Sequence, residues 1–219
     1  MGREMTSTRR AAILPVAFFQ RPVAVVAREL IGRVLVSGSG PMRTVGRIVE
    51  TEAYLGHRDP ASHGFGNRRH SRNETLYAAA GTWYVYLSYG MHWCANLVCE
   101  RETNAGAVLL RALEPLEGLE VMRRRRGRVE RDRLLASGPG RLTQAFGINH
   151  DLDAQPMRRS DVVILAKDPV DITVEVSHRI GITKAVDWPL RLELGHLQPV
   201  LSTDRCDFRH LDQSVGERA

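Results

Sequence analysis

The segment Thr44-Val-Gly-Arg-Ile-Val-Glu-Thr-Glu-Ala-Tyr54 is rich in β-branched residues and contains no proline, which predicts one long strand. Upstream, Arg33 to Val36 has the same character. The Ser-Gly-Ser-Gly run at 37 to 40 supplies a turn, so the two pieces read as a hairpin. Strand side chains alternate between faces, which sets Glu50, Glu52 and Tyr54 on one side and Val49, Thr51 and Ala53 on the other. The acidic face has two readings. It is either a solvated surface or a place where a carboxylate stands beside an aromatic ring.

On the N-terminal side, Pro22 opens an apolar run through Val26 and Leu30 that stops at Gly32, the pattern of a short helix with one buried face. On the C-terminal side, residues 55 to 75 form a long polar loop carrying His57, His63, His70, Arg68, Arg69 and Arg72, and loops of this length in compact domains are often functional. Thr82 to Ser88 and Trp93 to Cys99 predict a second hairpin around Tyr89-Gly-Met-His92. Ala107 to Leu113 reads as a strand, Pro115 to Arg126 as a helix, and Val162 to Leu201 as short strand-like pieces. No internal repeat or low-complexity linker interrupts the chain. One domain over 12–204 is expected, with flexible ends at 1–11 and 205–219.

A chain of 219 residues with 43% apolar composition can bury a real core. Its formal charge of +6 favours a polyanionic partner, nucleic acid first. A membrane surface would call for a long basic amphipathic helix, and none is present. Cys94, Cys99 and Cys206 make neither a disulfide framework nor a four-ligand zinc set, which implies a reducing compartment. With no apolar run of about 20 residues and no hydrophobic leader after Met1, a soluble cytoplasmic protein is expected. There is no Gly-rich phosphate loop, and the histidines lack zinc-site spacing, so no metal or cofactor is expected.

The tip of the second hairpin is unusually apolar, because Tyr89 and Met91 flank Gly90 where a core is hard to reach. Two readings stay open: a wedge that enters a minor groove and fills the space of an extruded base, or a hairpin end covered by a neighbouring loop. The run Arg123-Arg-Arg-Arg126 is compatible with a solvated helix face and adds only agreement with the net charge.

Taken together, Gly46-Arg-Ile-Val-Glu-Thr-Glu-Ala-Tyr-Leu-Gly56, His63 and Gly81-Thr-Trp-Tyr-Val-Tyr-Leu-Ser-Tyr-Gly-Met91 resemble the alkyladenine (3-methyladenine) DNA glycosylase family. Val108-Leu-Leu-Arg-Ala-Leu-Glu-Pro-Leu-Glu-Gly118, Ser137-Gly-Pro-Gly-Arg-Leu-Thr-Gln-Ala145 and Arg179-Ile-Gly181 continue it, from about Leu14 to about Ser202. The resemblance implies an α+β domain with a curved antiparallel sheet, flanking helices and a protruding DNA-intercalating β-hairpin. It implies Glu52 as general base, with Arg111 and the Ile180 carbonyl helping to hold the attacking water. It places the base pocket at Tyr54, His63 and Tyr86, with Asn96 discouraging ordinary guanine. Tyr89 would be the intercalating side chain, and Met91, His92, Arg68 and Arg72 would touch DNA. His92 replaces an aromatic of some relatives, and Trp188-Pro-Leu-Arg191 is a loose form of the family's closing strand.

The activity implied by this resemblance is that of a base-excision enzyme acting as a monomer on duplex DNA with damaged purines such as 3-methyladenine, 7-methylguanine or hypoxanthine. Water is the expected nucleophile, since no lysine maps to the attacking position. A carboxylate beside an oxocarbenium-like sugar can both orient water and stabilise charge. Burial should raise the Glu52 pKa and Arg111 should lower it, with the winner left open by the sequence. The rival classes are a non-catalytic lesion binder, a hydrolase of small nucleosides, for which a wedge is unnecessary, and an RNA-binding module, for which no motif is present.

Overall fold

The computed structural model describes residues 12–127, 129–166 and 172–197. In chain order these form α1 (Val16–Phe19), α2 (Val23–Leu30), β1 (Val34–Ser37), β2 (Thr44–Tyr54), β3 (Trp83–Ser88) and β4 (His92–Cys99). Then come β5 (Gly106–Glu117), α3 (Leu119–Arg126), α4 (Pro139–Phe146), β6 (Val162–Ile164), β7 (Ile172–Ser177) and β8 (Arg191–Leu197). The chain ends read as flexible, 1–11 and 205–219, lie outside the described residues, as do Cys206 and the stretch to Leu201.

All strand pairs are antiparallel, and both expected hairpins form. The order β3-β4-β5-β2-β1-β6 gives an open sheet with β2 at its centre, and β7 and β8 join along the second half of β2. Because β2 runs eleven residues, it changes neighbours midway: Thr44 to Arg47 pair with β1, and Glu50 to Glu52 pair with β8. A strand flanked on both sides there has its backbone donors and acceptors consumed within the sheet, which makes a dry, rigid platform.

Helices cover the sheet by simple periodicity. In α2, Val23, Val26, Ala27 and Leu30 are buried at the spacing of one helical face. Thr51, on the face of β2 opposite Glu52, ties that helix down by donating to the Ala27 carbonyl at 2.9 Å. In α4, Leu142, Ala145 and Phe146 do the same over the other half of the sheet. Trp83 is fully buried between, its indole donating to the Val162 carbonyl at 3.0 Å.

Two expectations are corrected. Pro115 to Glu117 continue β5 rather than opening a helix, and Gly118 at φ 78° makes the left-handed corner from which α3 starts. Gly118 sits so close to the Arg43 carbonyl, 2.3 Å from where a Cβ would lie, that no other residue fits. The polar stretch 55–75 is not irregular throughout. It contains short 3-10 turns at Gly56–Arg58, Phe65–Asn67 and, at its end, Glu74–Tyr77. Buried Asn73 holds it closed, donating to the His63 and Arg68 carbonyls and accepting from the His70 amide. The helix α4 was not legible as such beneath its glycines and proline.

Candidate active site

Glu52 lies on the doubly flanked part of β2, opposite Leu109 on one side and Arg191 on the other, and has no exposed surface. Its Oε1 accepts from the Ile180 amide at 2.8 Å and stands 3.2 Å from Arg111 Nη1. Its Oε2 accepts from the Tyr54 hydroxyl at 2.8 Å. Burial pushes the carboxyl above its ordinary pKa; Arg111, the Ile180 amide and Tyr54 pull it back, and burial prevails. The solvated-face reading is therefore excluded for this strand.

Arg111 reaches Glu52 because the sheet is irregular at that point. Pairing passes from Ile48–Leu113 to Glu50–Ala112 and then to Thr51–Leu110, leaving Val49 on β2 and Arg111 on β5 without partners. Paired bulges of this kind re-aim a side chain beside a site. The Arg111 Nε donates to Glu50 Oε1 at 2.6 Å, and Arg191 Nε donates to the same oxygen at 2.5 Å. Glu50 is thus held between two guanidinium groups, and it fixes the direction in which Arg111 presents Nη1.

Ile180 comes from a distant segment, anchored by an ion pair whose acidic partner, Asp59, the sequence reading does not single out. Arg179 Nη1 and Nη2 lie 2.5 and 2.9 Å from the Asp59 carboxylate, with both side chains fully buried. Arg179 also donates to the Ala53 carbonyl at 3.1 Å, and its guanidinium lies 4.7 Å from the centre of the Tyr54 ring. Asp59 in turn accepts from the Leu55 and Ala61 amides. The nearest sequence signals were the Arg179-Ile-Gly181 run and an acidic residue in the polar loop. It is the amide of Ile180 that contacts Glu52.

Tyr54, Arg111 and Ile180 cover Glu52 and line a cleft of about 1390 Å³, with His63, Tyr86 and Asn96 on further walls. The His63 and Tyr86 rings meet edge to face at 4.6 Å, and Tyr84 stacks on Tyr86 at 5.2 Å. His63 Nδ1 is 2.8 Å from the Tyr84 hydroxyl. One side of His63 is open to solvent, yet crowding by these rings desolvates it and lowers its pKa, with His70 adding a smaller push. Asn96 is buried and donates to the Tyr84 carbonyl at 3.1 Å. Among the described residues no three His, Cys, Asp or Glu side chains gather where they could share a metal ion.

The hairpin tip is open, with no described residue covering it: Tyr89 is 84% exposed and Met91 70%. Tyr89 at φ 50° and Gly90 at φ 68° form the turn closed by Met91 N to Ser88 O at 3.0 Å. Positive φ at both central residues is the I′ geometry, which suits Asn-Gly and strains a tyrosine. His92 is exposed at the base of the tip and packs on Gly140 of α4, 2.8 Å from where a Cβ there would lie. Arg72 is exposed and lines the cleft; Arg68 is exposed and does not. In the arginine run, Arg123 pairs with Glu120 and Asp132, while Arg125 and Arg126 bind the Ala145 and Leu135 carbonyls. Three of its four side chains therefore fasten α3 to its surroundings.

A model of the family described as methylpurine-DNA glycosylase (MPG) matches residues 17–196. The chain belongs to the methylpurine-DNA glycosylase family. It is 48% identical over 176 residues to a protein of Bradyrhizobium diazoefficiens, covering 80% of this chain and 84% of that one. A protein of Rhodopseudomonas palustris is 47% identical over 81% of this chain and 82% of its own length. One from Methanoculleus marisnigri is 44% identical over 83% and 94%. All three carry names that assign 3-methyladenine DNA glycosylase activity provisionally. As a methylpurine-DNA glycosylase family member, the chain is a hydrolase of N-glycosyl bonds with DNA as its substrate.

Proposed function

We propose that this DNA glycosylase excises damaged purines of the 3-methyladenine, 7-methylguanine and hypoxanthine type from duplex DNA, as a monomer and with water as the nucleophile. The observation that carries this reading is the Glu52 carboxylate, buried one side-chain layer beneath an aromatic-lined cleft and held by Arg111 and the Ile180 amide.

Alkylation at a ring nitrogen puts positive charge on a purine and makes it a better leaving group, so the base can depart without protonation by the protein. The sugar passes through an oxocarbenium-like state. Glu52 orients water against C1′ as general base and stabilises the developing charge, and Arg111 and the Ile180 carbonyl share the water. Tyr54, His63 and Tyr86 sandwich the flipped purine, and Asn96 crowds the exocyclic amino group of ordinary guanine. Tyr89 fills the vacated stack, while Met91, His92, Arg68 and Arg72 meet groove and backbone.

The test is release of free base from duplexes containing 3-methyladenine or hypoxanthine under single-turnover conditions, comparing the native chain with Glu52→Gln. Release that drops about 10²–10⁴-fold in the variant, with DNA binding retained, supports the reading. No release by either, with tight lesion binding by both, makes the protein a non-catalytic binder. The one amine lining the cleft among the described residues is Lys184. Borohydride trapping of a protein–DNA adduct that vanishes in Lys184→Ala would overturn water as nucleophile.

A further inference from the structure

A carboxylate has about four acceptor sites, two per oxygen. At Glu52 one site of Oε1 is taken by the Ile180 amide, with the Arg111 guanidinium beside the same oxygen as an ion-pair partner at 3.2 Å, and one site of Oε2 is taken by the Tyr54 hydroxyl. Oε2 keeps one lone pair free, while the rest of Oε1 faces the Arg111 charge. Tyr54 is at once the third ligand of this carboxylate and a wall of the cleft, and the Arg179 guanidinium fixes its ring from behind. The same side chain therefore touches the place where a purine stacks and the oxygen that must receive a proton.

Resting on the excision reading, we propose that Tyr54 is a positioning residue for hydrolysis as well as a pocket wall: its hydroxyl orients Oε2 so that the remaining lone pair is left for the attacking water. A purine pressed against the ring then sets the hydroxyl, and through it the carboxylate, in a single motion. The hydroxyl can serve this way because it stays protonated. Burial first, and the Glu52 charge second, push its pKa well above the usual phenol range.

The other groups around Glu52 do not replace it. Arg111 and the Ile180 amide both address Oε1. Glu50 repels Glu52 but is itself paired with Arg111 and Arg191. The Cys94 thiol is kept protonated by burial, and Arg179 is matched by Asp59 beyond the ring. Removing the hydroxyl takes away a hydrogen bond that favours the anion, so the Glu52 carboxyl should titrate at higher pH.

Tyr54→Phe, which keeps the ring, tests this. Lesion affinity should stay within about twofold of native, because stacking is retained. Single-turnover base release should fall about tenfold at the acidic end of the profile, the worth of one hydrogen bond to a charged group, and recover toward native as pH rises. A profile parallel to the native one at every pH overturns the proposal, since a merely structural or stacking role would not depend on proton concentration. Carbon-13 NMR of labelled glutamate reads the Glu52 carboxyl directly, with Glu52→Gln assigning the signal. An upward shift of its titration in Tyr54→Phe supports the proposal and an unchanged titration overturns it. That readout still decides the matter if the native chain releases no base, an outcome that would instead strike the excision reading.

Discussion

Asp59 and Arg179, 120 positions apart, form a two-pronged ion pair with no exposed side-chain surface on either partner. The pair joins the end of β2, the turn that leads to His63 and the segment that brings Ile180 to Glu52. Removing one partner of a buried pair leaves an uncompensated charge. Arg179→Met should therefore lower unfolding free energy by about 3–5 kcal/mol, read from urea denaturation. A loss under about 1 kcal/mol would mean that Asp59 finds another donor or water.

The raised pKa of Glu52 makes its ionised form a burden on the fold. For a carboxyl whose folded pKa exceeds its unfolded value, the stabilising contribution is full below the unfolded pKa and is lost as pH rises through the folded one. Glu52→Gln should thus melt at an equal or higher temperature than native at pH 8, with the gap closing toward pH 4. Scanning calorimetry at the two pH values checks this. A variant that loses stability as pH rises would contradict the sign.

Tyr89 occupies a left-handed position that asparagine fills more readily. Tyr89→Asn should stabilise the protein by up to about 1 kcal/mol while weakening capture of lesion-containing duplex, because the side chain proposed to fill an extruded base's space is gone. Unchanged lesion affinity and single-turnover rates, measured alongside thermal melts, would remove Tyr89 from the interface.

Arg72 and Lys184 line the cleft from separate segments, both exposed, and neither side chain bonds to another described residue. Cations so placed suit the phosphates beside a flipped nucleotide. Arg72→Ala and Lys184→Ala should each reduce the slope of log binding constant against log salt by about one. Fluorescence anisotropy across a salt series measures it, and an unaltered slope places that cation off the backbone.

Much of the frame was legible in the residues alone. Alternation along Arg47–Tyr54 placed Glu50, Glu52 and Tyr54 on one face, and the second hairpin was visible from its aromatic strands, because a strand's side-chain period is a local property of the backbone. The end of β5 was misread since Pro115 resembles a helix start; what turns the chain is Gly118, squeezed against Arg43. The helix α4 went unseen because its Gly140 is there for close approach to His92, a contact with no local signature.

By itself, then, the sequence determined which residues could share a face and which turn would carry an apolar tip. The tertiary structure alone decided that Arg111 leaves the strand period at a bulge and aims at Glu52. It also decided that Ile180, 128 positions away, supplies an amide to the same carboxylate, and that burial outweighs both in the direction of its pKa shift. The reason is physical: side-chain alternation comes from bond geometry within a few residues. Bulge placement, long-range contact and desolvation exist only once the sheet has packed.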